Sequence, residues 1–266
     1  NMVFRLDAME AYNRRLVKKI AVKGITESGS IATDSYLYLE SINLSKSDPT
    51  ATLQFEVKMA SGAPKKKSRI VKIGDNLYDY SGGLEEYRNG FVVKQIDGRD
   101  DSVEFLNGIK IFAGDVIGAV DEDQLRRIQI RETILSHIQR ERQLFYKGIK
   151  VLSLFFIDEV ANYREYDAAG QPVNGKYAAM FEEEYEDIIG SMQLAIGDDE
   201  YLRYLQAISA SKTHAGYFSV DGKGKMVNSK VGRKETTSDD VSAYELIMRN
   251  KELLLDRDPV RSPVRF

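Results

Sequence analysis

"KVLSLFFIDEVANYR", residues 150–164, decides how this chain is read. An apolar run broken only by Ser153 ends in Asp158 and Glu159. Consecutive apolar residues, rather than alternating ones, predict a parallel strand buried on both faces. An acidic pair at the end of such a strand is what the metal-binding strand of a nucleotide hydrolase often looks like. The competing reading is plainer: polar residues stand where the chain leaves the core, at the carboxyl end of a strand.

The surrounding sequence decides between them. A P-loop needs G-x-x-x-x-G-K-[ST], whose glycines let backbone N–H groups cradle phosphates. No such string is present. "GAPKKKS" (62–68) lacks the second glycine, and "DGKGK" (221–225) lacks the hydroxyl and a following helix. Without a phosphate cradle, Asp158 and Glu159 have nothing to hold a metal against. There is no G-x-S-x-G elbow and no H-E-x-x-H. Cysteine is absent, which removes disulfides, thiolate metal sites and cysteine nucleophiles. The two histidines, His137 and His214, leave little room for a histidine metal site. No catalytic and no metal-ligating residue is therefore assigned. The acidic run Glu182, Glu183, Glu184, Glu186, Asp187 reads as a solvated helix face.

Working outward, residues 121–148 predict a long helix. Asp121 and Gln124 form a capping box, Leu125, Ile128, Leu135, Ile138 and Phe145 share a face, and Gly148 ends it. Residues 6–20 carry helical spacing. Between them, 31–118 holds short β-branched and aromatic runs, some alternating as in Leu53, Phe55, Val57 and Met59. Turn strings such as "KSDP", "SGAP" and "DGRD" divide them, giving a β module of about five or six strands. Beyond the opening stretch lie a polar loop at 162–175 and helices at 176–195 and 199–209. An extended segment turning at Gly222–Gly224 follows, then a helix starting near Ser238. The fold class expected is α+β or α/β, a small β-rich module followed by an α/β lobe. Both ends look cut, so a segment of a longer protein is expected.

The chain has 266 residues, 42% hydrophobic and 30% charged, with net charge −3. Its composition suits a globular protein, and no apolar run approaches the roughly 20 residues of a membrane span. No membrane partner is expected. The one concentrated basic feature is Lys65, Lys66, Lys67, Arg69 and Lys72, five cations in eight residues on an expected hairpin tip. Such a tip can neutralise nucleic-acid phosphates; it can also be a solubilising turn.

Several strings, taken in order, resemble the restriction (Res) subunit of type III restriction–modification systems. They are "RLDAMEAYNRRLVKKIAVKGI", "GDNLYDYSGGLEEYRNGFVV", "VEFLNGIKIFAGDVIG", "RRIQIRETILSHIQRE", "KGIKVLSLFFIDEVANYR", "GKYAAMFEEEYEDI", "HAGYFSVDGKGK" and "YELIMRNKELLL". Together they span nearly the whole chain. The resemblance implies a superfamily 2 helicase-like motor whose two RecA-like lobes bind ATP and Mg²⁺. It also implies a nuclease domain, double-stranded DNA as substrate, a modification methyltransferase as partner, and a cytoplasmic location.

On that map residues 1–25 end the first lobe, 26–120 form an inserted β module, and 121–266 link into the second RecA-like lobe. The opening stretch then becomes the helicase motif IV strand, with Phe155, Phe156, Ile157 and Asp158 placed to touch DNA, and not the Mg²⁺-binding strand. His214, Tyr217 and Ser219 belong to a family-like string without an assigned role. ATP and Mg²⁺ sites would lie outside this segment, which alone would be inactive. The alternative is a non-catalytic DNA- or protein-binding β module with a helical scaffold.

Overall fold

The computed structural model describes residues 7–17, 24–27, 35–44, 48–118, 120–196, 199–228 and 251–266. It divides into two compact units, Asn1–Val120 and Asp121–Phe266. The architecture is α+β.

In the first unit a short helix α1 (Ala8–Asn13) is capped by Asp7, whose side chain accepts the Glu10 N–H at 2.8 Å. The helical spacing over 6–20 thus yields a shorter helix, with 18–20 outside the described residues. The strands are β1 (Thr26–Glu27), β2 (Leu37–Asn43), β3 (Thr50–Lys58), β4 (Pro64–Val71), β5 (Val93–Asp97), β6 (Ser102–Phe105), β7 (Lys110–Phe112) and β8 (Asp115–Ile117). They form a five-stranded sheet ordered β1-β8-β2-β3-β4 and a three-stranded sheet β5-β6-β7. Every pairing is antiparallel except β1 with β8.

Alternation fixes which face is buried. Ala51, Leu53, Phe55 and Val57 on β3 point into a core shared with Leu37, Leu39, Val71, Val93, Phe105 and Ile111. A run of edge-on ring contacts, Phe55–Tyr87–Phe91–Phe105, crosses that core with centroids 5.6–5.8 Å apart, a preferred aromatic geometry. Tyr87 comes from a single 3-10 turn (Glu85–Tyr87), and Leu77 from the short helix α2 (Leu77–Tyr80), which Asn76 caps. Gly118 closes the unit: its φ is +92°, and a Cβ there would stand 2.6 Å from the Ser35 carbonyl oxygen, so the site admits only glycine without movement.

The second unit is built on α3 (Glu122–Phe145). Its capping box is formed: Asp121 Oδ1 accepts the Gln124 N–H at 2.8 Å and Gln124 Oε1 accepts the Asp121 N–H at 3.4 Å. Ile130, Ile134, Ile138 and Phe145 pack with Phe181, Tyr185, Ile188 and Ile189 of α4 (Lys176–Ile196) and with Tyr201, Leu202 and Leu205 of α5 (Glu200–Gln206). The polar loop expected at 162–175 holds a two-stranded hairpin, β9 (Arg164–Tyr166) with β10 (Pro172–Asn174). The turn at Gly222–Gly224 joins β11 (Ser219–Val220) to β12 (Met226–Val227). The helix expected from Ser238 lies outside the described residues up to 250; the described residues include a short helix, α6 (Lys251–Leu255).

The deciding stretch departs from expectation. Residues 151–157 form no assigned strand, and they are not buried on both faces. Val151, Ser153, Phe155 and Ile157 are half-buried, whereas Leu152, Leu154 and Phe156 are exposed, Phe156 to 93%. The physical reason is the neighbours. The N–H of Ser153 donates to the Arg265 carbonyl at 2.9 Å, and the N–H groups of Arg265 and Phe266 both donate to Thr213 O. One side of the segment meets the aromatic rings of this layer. Among the described residues the second unit contains no sheet beyond the two hairpins.

Candidate functional site

The basic stretch does not sit on a hairpin tip. The β3–β4 turn is made by residues 59–63, where the Gly62 N–H donates to Met59 O at 2.8 Å. Lys65, Lys66, Lys67 and Arg69 belong to β4 itself, at the edge of the five-stranded sheet. Pairing with β3 sets their directions. Lys65 stands opposite Val57, Lys67 opposite Phe55 and Arg69 opposite Leu53. Directly opposed residues share a face, so these three cations line the margin of the core-side face. Lys66 is opposite Glu56, on the other face, with its Nζ 3.9 Å from the Tyr36 ring centroid. Beside it Ser68 donates to the Glu40 carboxylate, and Tyr36 Oη donates to Gln54 Oε1 at 2.6 Å. Lys65 and Arg69 are exposed, and Lys67 is half-buried. Lys72 lies past the strand, its N–H donating to Asp75 Oδ2 at 2.9 Å. The structure therefore brings Lys65, Lys67 and Arg69 together on one face and separates Lys66 and Lys72 from them.

In the second unit, Phe155 packs edge-on against Phe181 at 6.1 Å, while Phe156 is bare. Asp158 is exposed and caps the following turn: its Oδ1 accepts from Asn162 Nδ2 at 3.0 Å and from the Glu159 N–H at 2.9 Å. The Asn162 bond, with that backbone N–H, holds its carboxyl below the usual range. Asp158 and Glu159 thus close a turn, and among the described residues no group of three His, Asp or Glu side chains is placed to hold a metal ion. Neither glycine-lysine string forms a phosphate cradle. Gly62 turns into a strand, and 221–225 is a hairpin turn in which Asp221 accepts the N–H groups of Lys223 and Lys225.

His214 is partly enclosed, with Nδ1 3.0 Å from Tyr163 Oη and Nε2 3.2 Å from Glu182 Oε1. Burial pushes its imidazole below the ordinary value, against the pull of Glu182. Tyr217 is half-buried, with its phenol pushed up by burial, and Ser219 lies in β11 opposite Val227.

The acidic run is a solvated face only in part: Glu183 and Glu186 are exposed, whereas Glu182 and Asp187 are half-buried. Glu184 is buried, and Arg131 Nη1 donates to its Oε2 at 2.7 Å and to Asp187 Oδ2 at 3.0 Å. Arg127 reaches Glu183 and Glu184 at 2.8 and 2.9 Å. Sequence reading also missed a buried polar group. His137 Nδ1 lies 2.9 Å from Ser153 Oγ, and its Nε2 is 3.7 Å from Glu141 Oε2. Arg265 Nε is 3.8 Å from the same carboxylate, and Tyr201 Oη donates to it at 3.1 Å. Lys150 Nζ donates to Asp256 O, Ser262 O and Ser262 Oγ. The i, i+4 spacing of His137 and Glu141 on one helix face was a readable signal; Lys150 and Arg265 join from distant parts of the chain and gave none.

The chain is similar to type III restriction-enzyme Res subunits. It is 29% identical to the EcoP15I Res subunit of Escherichia coli over 278 residues, which cover 100% of this chain and 24% of that protein. It is 33% identical to the EcoPI Res subunit of Escherichia phage P1 over 174 residues, 62% of this chain and 16% of that one. With the StyLTI Res subunit of Salmonella typhimurium the identity is 27% over 274 residues, 95% of this chain and 24% of the relative. The chain therefore spans about a quarter or less of the length of the curated relatives it matches. No family model matches, and no solved structure matches. Among the described residues no helix is long and apolar enough to cross a membrane.

Proposed function

We propose that the chain is a segment of a type III restriction endonuclease subunit that contributes DNA-backbone contacts and lobe architecture to an ATP-driven motor. The observation that carries this reading is the similarity to Res subunits along nearly its whole length. In the intact cytoplasmic enzyme, ATP and Mg²⁺ would bind elsewhere, a nuclease domain would cut DNA, and a modification methyltransferase would be the partner. Residues 1–25 would end one RecA-like lobe, 26–120 would be an inserted module, and 121–266 would open the second lobe.

Two features of the geometry support it. Lys65, Lys67 and Arg69 repeat on one face of an edge strand, a spacing of about 7 Å that suits successive phosphates of one backbone. The segments at 151–157, 265–266 and 213–215 are joined side by side by backbone hydrogen bonds, which is how neighbouring strands of a larger sheet begin. The exposed side chains of Leu152, Leu154 and Phe156 are then the face that further layers of the lobe would cover.

The second reading is a non-catalytic module. Lysines on an edge strand also discourage edge-to-edge pairing between copies, and that alone would explain them. The test is a triple substitution, Lys65→Ala, Lys67→Ala and Arg69→Ala, in the full-length subunit with its methyltransferase. DNA-stimulated ATP hydrolysis should need more DNA for half-maximal rate, with DNA-independent hydrolysis unchanged. An unchanged DNA requirement removes β4 from the DNA path.

A further inference from the structure

Four elements meet at one imidazole. Tyr163 follows the 3-10 turn Val160–Asn162, Arg164 opens β9, Glu182 lies in α4, and His214 heads the segment 214–218. Glu182 Oε1, besides facing His214 Nε2, accepts from Asn174 Nδ2 at 2.7 Å, and Arg164 Nη1 donates to Asn174 Oδ1 at 3.3 Å. The segment is drawn so close to Tyr163 that a Cβ on Gly216 would lie 2.3 Å from the ring.

The hydrogens can be placed by elimination. An ionised carboxylate only accepts, so Nε2 carries the imidazole proton toward Glu182. Nδ1 then offers only a lone pair, so the Tyr163 hydroxyl, 3.0 Å away, donates to it. With His214 uncharged every group in the chain of contacts is satisfied. A proton on Nδ1 would face the phenol hydrogen. Tyr163 is 7% exposed, and the neighbouring walls are the rings of Phe181 and Phe218, which offer the displaced hydroxyl no strong acceptor. A buried donor left unpaired is costly.

We propose that His214 is a proton-operated latch: uncharged, it clamps the segment 214–218 onto Tyr163 and α4, and protonation releases that segment. The charged groups facing it are Glu182, which favours the proton, and Arg164, which opposes it; burial is the larger influence and also opposes it. Release would reach further, because the Ala215 N–H donates to Phe266 O and Thr213 O holds Arg265 and Phe266. The latch is independent of the DNA reading above.

The test is amide hydrogen exchange of this chain at pH 7.5 and 5.5, expressed as protection relative to the unstructured rate. Protection at residues 214–218 should fall severalfold, up to about tenfold, at the lower pH, the limit set by an ordinary imidazole value near 6.5 in the released segment, with α3 much less affected. His214→Gln keeps a donor for Glu182 and an acceptor for Tyr163 and cannot charge in this range, so its protection should not change with pH. Equal protection at both pH values in the unsubstituted chain overturns the latch, as does a pH-dependent loss that persists in His214→Gln. Should that variant not fold, Tyr163→Phe gives an independent readout by NMR titration of the His214 ring. Removing the opposed hydroxyl should raise its midpoint; an unchanged or lower midpoint overturns the proposal.

Discussion

Arg131 Nη1 lies 2.7 Å from Glu184 Oε2, with the two side chains only 3% and 9% exposed. This pair and the Asp187 contact beside it join α3 to α4 through charge rather than through apolar packing alone. Removing Arg131 leaves the buried Glu184 with only the more exposed Arg127, and breaking a buried pair costs up to about 3–5 kcal/mol. Arg131→Ala should therefore lower unfolding stability by that amount in urea titration. Arg127→Ala, at a side chain 32% exposed that also binds Glu184, should cost no more than about 1 kcal/mol. Equal losses in both variants would contradict the assignment of the helix junction to Arg131.

Tyr87 serves the first unit in the same way with a neutral group. Its hydroxyl donates to Tyr36 O at 2.8 Å and accepts the Glu56 N–H at 3.0 Å, and its ring is fully buried. Tyr87→Phe keeps the ring contacts and removes the hydroxyl's bonds to the Tyr36 carbonyl, just before β2, and to the Glu56 N–H of β3. The expected loss is about 1–3 kcal/mol. A variant as stable as the parent would mean that the hydroxyl does not tie the 3-10 turn to the sheet.

Lys150 makes a pH prediction. Burial, then the charge of Arg265, pulls its ammonium down to about 8. The folded chain therefore binds fewer protons than the unfolded chain between about pH 8 and the ordinary lysine range near 10.4, and stability rises with pH across that interval. Tyr87, Tyr185 and Tyr201 are pushed up by burial, so their contribution is present below about pH 10 and is lost above their raised values. The midpoint of thermal unfolding should thus climb between about pH 8 and 10, and Lys150→Met should flatten that climb. A slope that survives in Lys150→Met would assign it to another group.

The sequence is a good guide wherever one element settles its own conformation. Asp121 and Gln124 announce the start of α3 because both halves of the capping box lie within one turn. The alternation of Leu53, Phe55 and Val57 shows β3 and its buried face for the same local reason. Residues 151–157 mislead because burial of a strand depends on what lies beside it, and here those neighbours are Arg265, Phe266 and α4. The run 182–187 misleads likewise: nothing within it shows that Arg127 and Arg131 approach from α3. The cations of 65–69 are visible as charge, but which of them share a face follows from the register with β3, and the turn sits earlier than the lysine run suggests. His214 stands out only as part of a string; its contacts with Tyr163 and Glu182 come from segments far apart in the chain.

The central claim is that backbone contacts to DNA lie within these residues. Fluorescence anisotropy of this chain with a short labelled duplex, titrated from low to moderate salt, tests it most directly. The expected result is binding whose affinity falls steeply with salt. Each phosphate neutralised by a cation adds about 0.9 to the log–log slope, so replacing Lys65, Lys67 and Arg69 by alanine should reduce that slope by roughly 2–3. No binding at low salt, or a slope untouched by the triple substitution, would contradict it.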